Sequence, residues 1–167
     1  MPSLYEENEI LLKEGIALLE ILPDDFYHSE RDDGLSSVGE HFRHIIEHYQ
    51  MFLQGIARGY IDYDKRERNL KLETNRTYAL EILGTLCLAL LQNGIPEGQV
   101  LVSQNYNPEF PKPVLSSTIE RELLFLVSHT VHHYAIIAMI LKGYGFTVPN
   151  RFGYSPATLY AKQVSPT

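Results

Sequence analysis

The chain has 167 residues, a formal net charge of -7, 44 % apolar and 21 % charged residues. That length suits one domain spanning 1–167, and a chain this size buries roughly 70 % of its unfolded surface, so it needs neither a disulfide nor a metal to fold. The acidic balance argues against a general nucleic-acid binder, because phosphate binding rests on clustered Lys and Arg; Lys65, Arg66 and Arg68 form only a local basic patch.

The first helix is expected from Leu4 to Leu22. Leu4, Asn8, Leu11, Leu12, Gly15, Leu18, Leu19 and Leu22 recur at helical spacing, and Pro23 stops it. Residues 24 to 35 read as a polar connection. The second helix starts at Ser37, where Ser37 and Glu40 form a capping box. Val38, Phe42, Ile45, Tyr49, Phe52 and Leu53 give it one apolar face, and Gly55 to Gly59 close it. Residues 60 to 73 read as a long charged loop, a length that marks function or mobility. The third helix runs from Asn75 to Gln92 and stops at Asn93-Gly94.

Residues 95 to 116 hold four prolines and the β-prone Val100-Leu101-Val102, which predicts a crossover loop with a short hairpin near 100–116. The fourth helix is expected to begin at a second capping box, Ser117 with Glu120, and to run to Lys142. It is apolar on nearly all sides, which predicts the most buried helix. A short last helix is expected near Ala157 to Lys162. Four helices and one long crossover predict an all-α four-helix bundle. The only cysteine, Cys87, lies in the run Leu86-Cys87-Leu88-Ala89-Leu90-Leu91 and reads as a buried small hydrophobe. The first residues lack the pattern of a signal peptide, and the longest apolar runs are interrupted by His, Ser and Thr. A cytoplasmic protein, with no membrane and no nucleic-acid partner, is the expectation.

Six of the seven histidines fall in two clusters: His41, His44 and His48 on the second helix, His129, His132 and His133 on the fourth. Residues four apart share a helix face. His129 with His133, and His44 with His48, are such pairs. Two imidazoles so spaced can point at one ion about 2.0–2.1 Å from each nitrogen. A third from another helix leaves an open position, as catalytic metal sites require. Burying several unpaired imidazoles in an apolar helix would cost about 1–3 kcal/mol each, a cost that a shared ligand removes. On the helical wheel His41 and His48 lie nearer the apolar face than His44, so periodicity alone leans towards His48 as the third ligand.

Two other metal motifs compete. His44-Ile45-Ile46-Glu47-His48 matches the H-x-x-E-H string of inverzincin peptidases, with Glu47 as general base. That reading leaves His129 and His133 unexplained. A ferritin-like di-iron site needs Glu-x-x-His on two helices, a string this sequence lacks.

With these residues in view, the chain resembles the DinB/YfiT-like family of metal-dependent four-helix-bundle proteins. The resemblance rests on residues 37–48, Ser-Val-Gly-Glu-His-Phe-Arg-His-Ile-Ile-Glu-His, and 128–134, Ser-His-Thr-Val-His-His-Tyr. The second string is similar to the family's His-x-x-His-His signature. Residues 62–68 and 152–158 are similar to features of one bacterial subgroup. The resemblance implies His44, His129 and His133 as metal ligands, with His48 the alternative third. It implies a divalent transition metal (Zn, Ni or Fe). One departure is Tyr134-Ala135-Ile136, where many relatives carry Arg-Gly-Gln after the paired histidines.

The family's activities include transfer of thiol cofactors such as bacillithiol or mycothiol, and a hydrolase-like role. The expected function is therefore activation of a thiol or water at a three-histidine site, by a thiol transferase or a hydrolase. The expected partners are a low-molecular-weight thiol or other small molecule, and a second copy of the chain in a homodimer. The competing readings are a non-catalytic metal-binding module and a plain helical dimerisation module. Glu47, Tyr49 and Tyr134 read as packing residues before proton shuttles. The Lys65, Arg66 and Arg68 patch reads as a solvated loop paired with Asp62, Asp64 and Glu67 before an anion site.

Overall fold

A computed structural model describes residues 3–28, 34–92 and 97–164. The chain is mainly helical, with a small three-stranded sheet. Four long helices, α1 (Leu4–Ile21), α3 (Val38–Ile56), α5 (Arg76–Gln92) and α6 (Ile119–Gly143), sit within a few residues of the expected positions. α1 packs on α5 and α6, and α3 packs on the same two. Ser3 and Ser37 cap α1 and α3 with reciprocal bonds to Glu6 and Glu40, satisfying donors that helix ends leave orphaned. Apart from half-buried Leu4, every position of the predicted stripe on α1 is buried, the polar Asn8 included.

Asn8 is buried because its amide is fully used. Its Nδ2 donates to the Leu4 carbonyl at 2.7 Å and to the Leu123 carbonyl at 3.2 Å. Its Oδ1 accepts from the Tyr49 hydroxyl at 2.7 Å, and the Thr130 hydroxyl donates to Tyr49 at 3.3 Å. The network ties α1, α3 and α6 together through the core. Tyr134 adds a second tie, its hydroxyl donating 2.9 Å to the Leu11 carbonyl. Gly15 makes room for that ring, since a Cβ there would collide with the Tyr134 hydroxyl oxygen. Both tyrosines are fully buried, as the packing reading expected. Cys87 is 7 % exposed in the same core, as expected.

Several expectations need correction. The connection after Pro23 begins with a short helix, α2 (Asp24–His28). The charged loop opens with β1 (Tyr60–Asp62) and ends in α4 (Leu70–Thr74). β1 pairs in parallel with β2 (Gln99–Ser103), which pairs antiparallel with β3 (Val114–Thr118). The second pairing is the expected hairpin; the first joins segments about 40 residues apart, which periodicity does not reveal. β1 fits against the end of α3 because Gly55 has no side chain; a Cβ there would meet Ile61 Cγ1 at 2.6 Å.

The second capping box does not form as expected. Ser117 belongs to β3 and donates to Glu122 Oε1 at 2.6 Å, so Thr118 caps α6 instead, accepting from the Arg121 amide. α6 is also less enclosed than its composition predicts, with Leu124 half exposed and Met139 74 % exposed. Despite its interruptions, α6 is long and apolar enough to cross a membrane by length and composition alone. A packed core helix passes the same test, and α6 packs on α1 and α3. The last helix, α7, spans Pro156–Val164. The expected stop at Asn93-Gly94 lies outside the described residues.

Candidate metal centre

His41, His44 and His48 form a stripe on α3, and His129 and His133 form one on α6. Because these helices pack on each other, the stripes meet. The His48 and His129 rings are 4.1 Å apart between centroids, His44 and His48 4.3 Å, and His129 and His133 4.6 Å. His44 lies 4.7 Å from His133 and 4.9 Å from His129. One ligand atom each from His44, His48 and His129 falls within 4.8 Å of the others. Of the four rings expected from sequence, His44 and His129 sit at the centre, with His133 on one side and His48 on the other. His132 is exposed beside His133, and His28 lies apart, its Nδ1 2.6 Å from the Asp24 carbonyl.

The outer bonds of these rings are defined. His48 Nδ1 lies 2.7 Å from the His44 carbonyl oxygen. A carbonyl only accepts, so Nδ1 carries the proton and Nε2 keeps its lone pair. The Nδ1 atoms of His41 and His133 are 2.9 Å apart, so one donates to the other and His133 Nε2 is left for a further partner. Such bonds behind a ligating imidazole fix its tautomer and aim. His129 differs: its Nδ1 is buried with no hydrogen-bond partner. Leaving such an atom unpaired costs about 1–3 kcal/mol.

Burial, helped by neighbouring histidines and Arg66, pushes the imidazoles down, His44 to about 2, His48 and His133 to about 3 and His129 to about 4. Neutral imidazoles are the form that binds a metal. The donor set therefore fits a divalent transition metal: nitrogens with free lone pairs from two helices, and a buried one with nothing else to bond.

Tyr63 and Phe125 wall one side. The Tyr63 ring stacks on His48 at 5.4 Å, and Phe125 lies 5.4 Å from His129. The Tyr63 hydroxyl donates 3.0 Å to Glu122, which holds the ring in place. Beyond this wall, under the hairpin, lies a cavity of about 600 Å3 lined by Tyr63, Phe125, Leu115, Arg121 and Tyr106 among others.

Glu47 is not placed as the base of an H-x-x-E-H site. Its Oε1 accepts from the Asn69 amide at 2.8 Å and its Oε2 from Arg43 at 3.2 Å, so it faces the loop after β1. The charged loop also departs from expectation. Asp62 and Asp64 both pair with Lys112, the latter at 3.1 Å, while Lys65 comes only within 3.9 Å of Asp62. Arg66 turns inward, its Nη1 2.8 Å from His44 Nδ1 and 3.3 Å from His48 Nδ1. In the sequence this arginine belongs to the Lys65, Arg66 and Arg68 patch, and nothing local distinguishes it from the other two.

A family model for the DinB superfamily matches residues 12–137. The chain is also similar to FK506-binding protein 5 of Rhizopus delemar, 30 % identical over 107 residues that make up 59 % of this chain and 26 % of the relative. The match thus spans about a quarter of that curated relative's length. No solved structure matches significantly.

Proposed function

The chain belongs to the DinB superfamily, and on that premise we propose a metal-dependent enzyme that activates a thiol or a water at its histidine cluster. In this reading α1, α3, α5 and α6 form a four-helix bundle. His44, His129 and His133 hold the metal, with His48 as the alternative third ligand. Imidazole donors suit Zn, Ni and Fe alike. The carrying observation is the orphaned Nδ1 of His129, buried among neutral imidazoles from two helices.

Bound there, a divalent metal supplies Lewis acidity, lowering the pKa of a thiol or water towards neutrality. The chain's own residues do the rest. His41 backs His133 through the 2.9 Å bond between their Nδ1 atoms. The His44 carbonyl fixes the tautomer of His48. Tyr63 and Phe125 close the buried side against water, leaving the partly exposed His41 and His133 side as the way in. The expected small-molecule partner is a low-molecular-weight thiol.

A second reading has its own observation. Four imidazoles, not three, are gathered, and a metal held by four protein ligands would be structural. Elemental analysis of untagged protein, followed by thiol-transfer assays with low-molecular-weight thiols, tests both. One metal per chain and thiol-dependent turnover that chelation abolishes is the expected result. Metal without turnover or exchangeable solvent ligands would favour the structural site. Absence of stoichiometric metal would overturn both.

A further inference from the structure

Arg66 is a cation set against the rings that would hold another cation. Its Nη1 is 2.8 Å from His44 Nδ1 and 3.4 Å from the Nε2 atoms of His44 and His48. Its Nε is buried without a hydrogen-bond partner. Among the described residues no carboxylate forms an ion pair with it. The two acidic groups that act on it most, Glu47 and Asp64, are already engaged. Arg43 and the Asn69 amide hold Glu47; Lys112 and the Asn105 amide hold Asp64.

Among the groups that touch the rings the charge is one-sided, although Glu47, whose partner Arg43 is shared with Glu73, offsets part of it from further away. Neutral imidazoles contribute nothing, a divalent metal contributes +2, and the guanidinium contributes +1. In a half-buried region of low effective dielectric such charges side by side repel strongly, and an anion between them would relieve that repulsion. The placement of Arg66 is not accidental to a floppy loop, since both flanks are fastened. Tyr63 is bonded to Ser103 and Glu122, and Asn69 to Glu47. Arg68 adopts a left-handed backbone, φ 52°, directly ahead of Asn69, the cap of α4.

We propose that Arg66 is a substrate-positioning residue and that the site takes a small oxyanion-bearing substrate, whose anionic group lies between the guanidinium and the histidine-held metal. A carboxylate or phosphate matches the fork of guanidinium donors. The proposal rests on the metal-centre reading and adds the charge of the substrate to it.

Calorimetric titration of the metal-stripped chain with Zn2+ tests this without any assay of turnover. The titration is run with no added oxyanion, with acetate and with inorganic phosphate. In the wild type an oxyanion should tighten Zn2+ binding by on the order of tenfold, the usual size of a coupling between two ligands. The better of acetate and phosphate identifies the oxyanion class. Arg66→Gln should bind Zn2+ more tightly than the wild type in oxyanion-free buffer, because a neighbouring positive charge is gone, and should lose the coupling. Arg66→Lys, which keeps the charge without the fork, should retain part of it. Equal coupling in the wild type and Arg66→Gln, or none in the wild type, would overturn the role of Arg66 while leaving the metal centre standing. Failure of every variant and the wild type to take up Zn2+ would overturn the metal centre and this proposal together.

Discussion

Two polar regions lie between the same helices, α3 and α6, and they are built on opposite terms. In the Asn8, Tyr49 and Thr130 network the amide and hydroxyls find partners inside the chain. In the histidine cluster, one ring nitrogen and one guanidinium nitrogen are buried with none. Buried polar groups are ordinarily satisfied, so a region where they are not is a candidate for a partner supplied from outside the chain. The first region holds the helices together; the second is the one proposed to accept a ligand.

Substitutions of the proposed metal ligands should break the second region most severely. His129→Ala and His44→Ala should each weaken metal binding by more than about 100-fold, beyond what loss of an outer partner costs. His133→Ala should match them, whereas His48→Ala should cost about tenfold or less. Metal stoichiometry and affinity for the four variants decide it. Survival of binding in His44→Ala but not in His48→Ala would replace His44 by His48 in the ligand set.

Stability should show the reverse contrast. Tyr49→Phe leaves Asn8 Oδ1 buried without its donor and should destabilise the chain by about 1–3 kcal/mol in chemical denaturation. His129→Leu removes an atom that has no partner, so the metal-stripped protein should be no less stable than the wild type. If His129→Leu destabilised it as much as Tyr49→Phe, the claimed difference between the regions would be gone.

Acidity sharpens the comparison further. The cluster imidazoles titrate well below the ordinary value of 6.5 when folded, to about 2 to 4. Below pH 6.5 the unfolded chain therefore binds protons that the folded chain does not, and stability falls as pH falls. The melting temperature of metal-stripped protein should decline from about pH 6.5 downward, and less so in His44→Ala. A flat profile between pH 7 and pH 4 would contradict the burial assigned to these rings. The smallest effect belongs to His132→Ala. That exposed ring lies about 60° from His129 around the helix, so metal affinity should be nearly unchanged.

What the sequence made legible was local. Pro23 ends α1, the Ser37 and Glu40 pair starts α3, and the spacing of His44, His48, His129 and His133 follows from helical geometry once α3 and α6 face each other. What it concealed was set by distant contacts. Ser117 and Glu120 have the spacing of a cap, yet β3 claims Ser117 and Glu122 takes its hydroxyl. Arg66 looks like any residue of a charged loop until β1 pairs with β2 and Glu47 pins Asn69.

The small sheet has a consequence for how such a protein changes over time. The imidazoles stand on the helices, but the arginine hangs from a segment moored to the hairpin, through Lys112 on Asp62 and Asp64 and through Asn105 on Asp64. Residues 104–113, between β2 and β3, touch no histidine in any bond described above. Drift in their length or composition would slide the guanidinium across the cluster while the histidine rings stayed where they are. On the proposed function, selectivity and reactivity would then be inherited on separate stretches of chain, free to diverge at different rates.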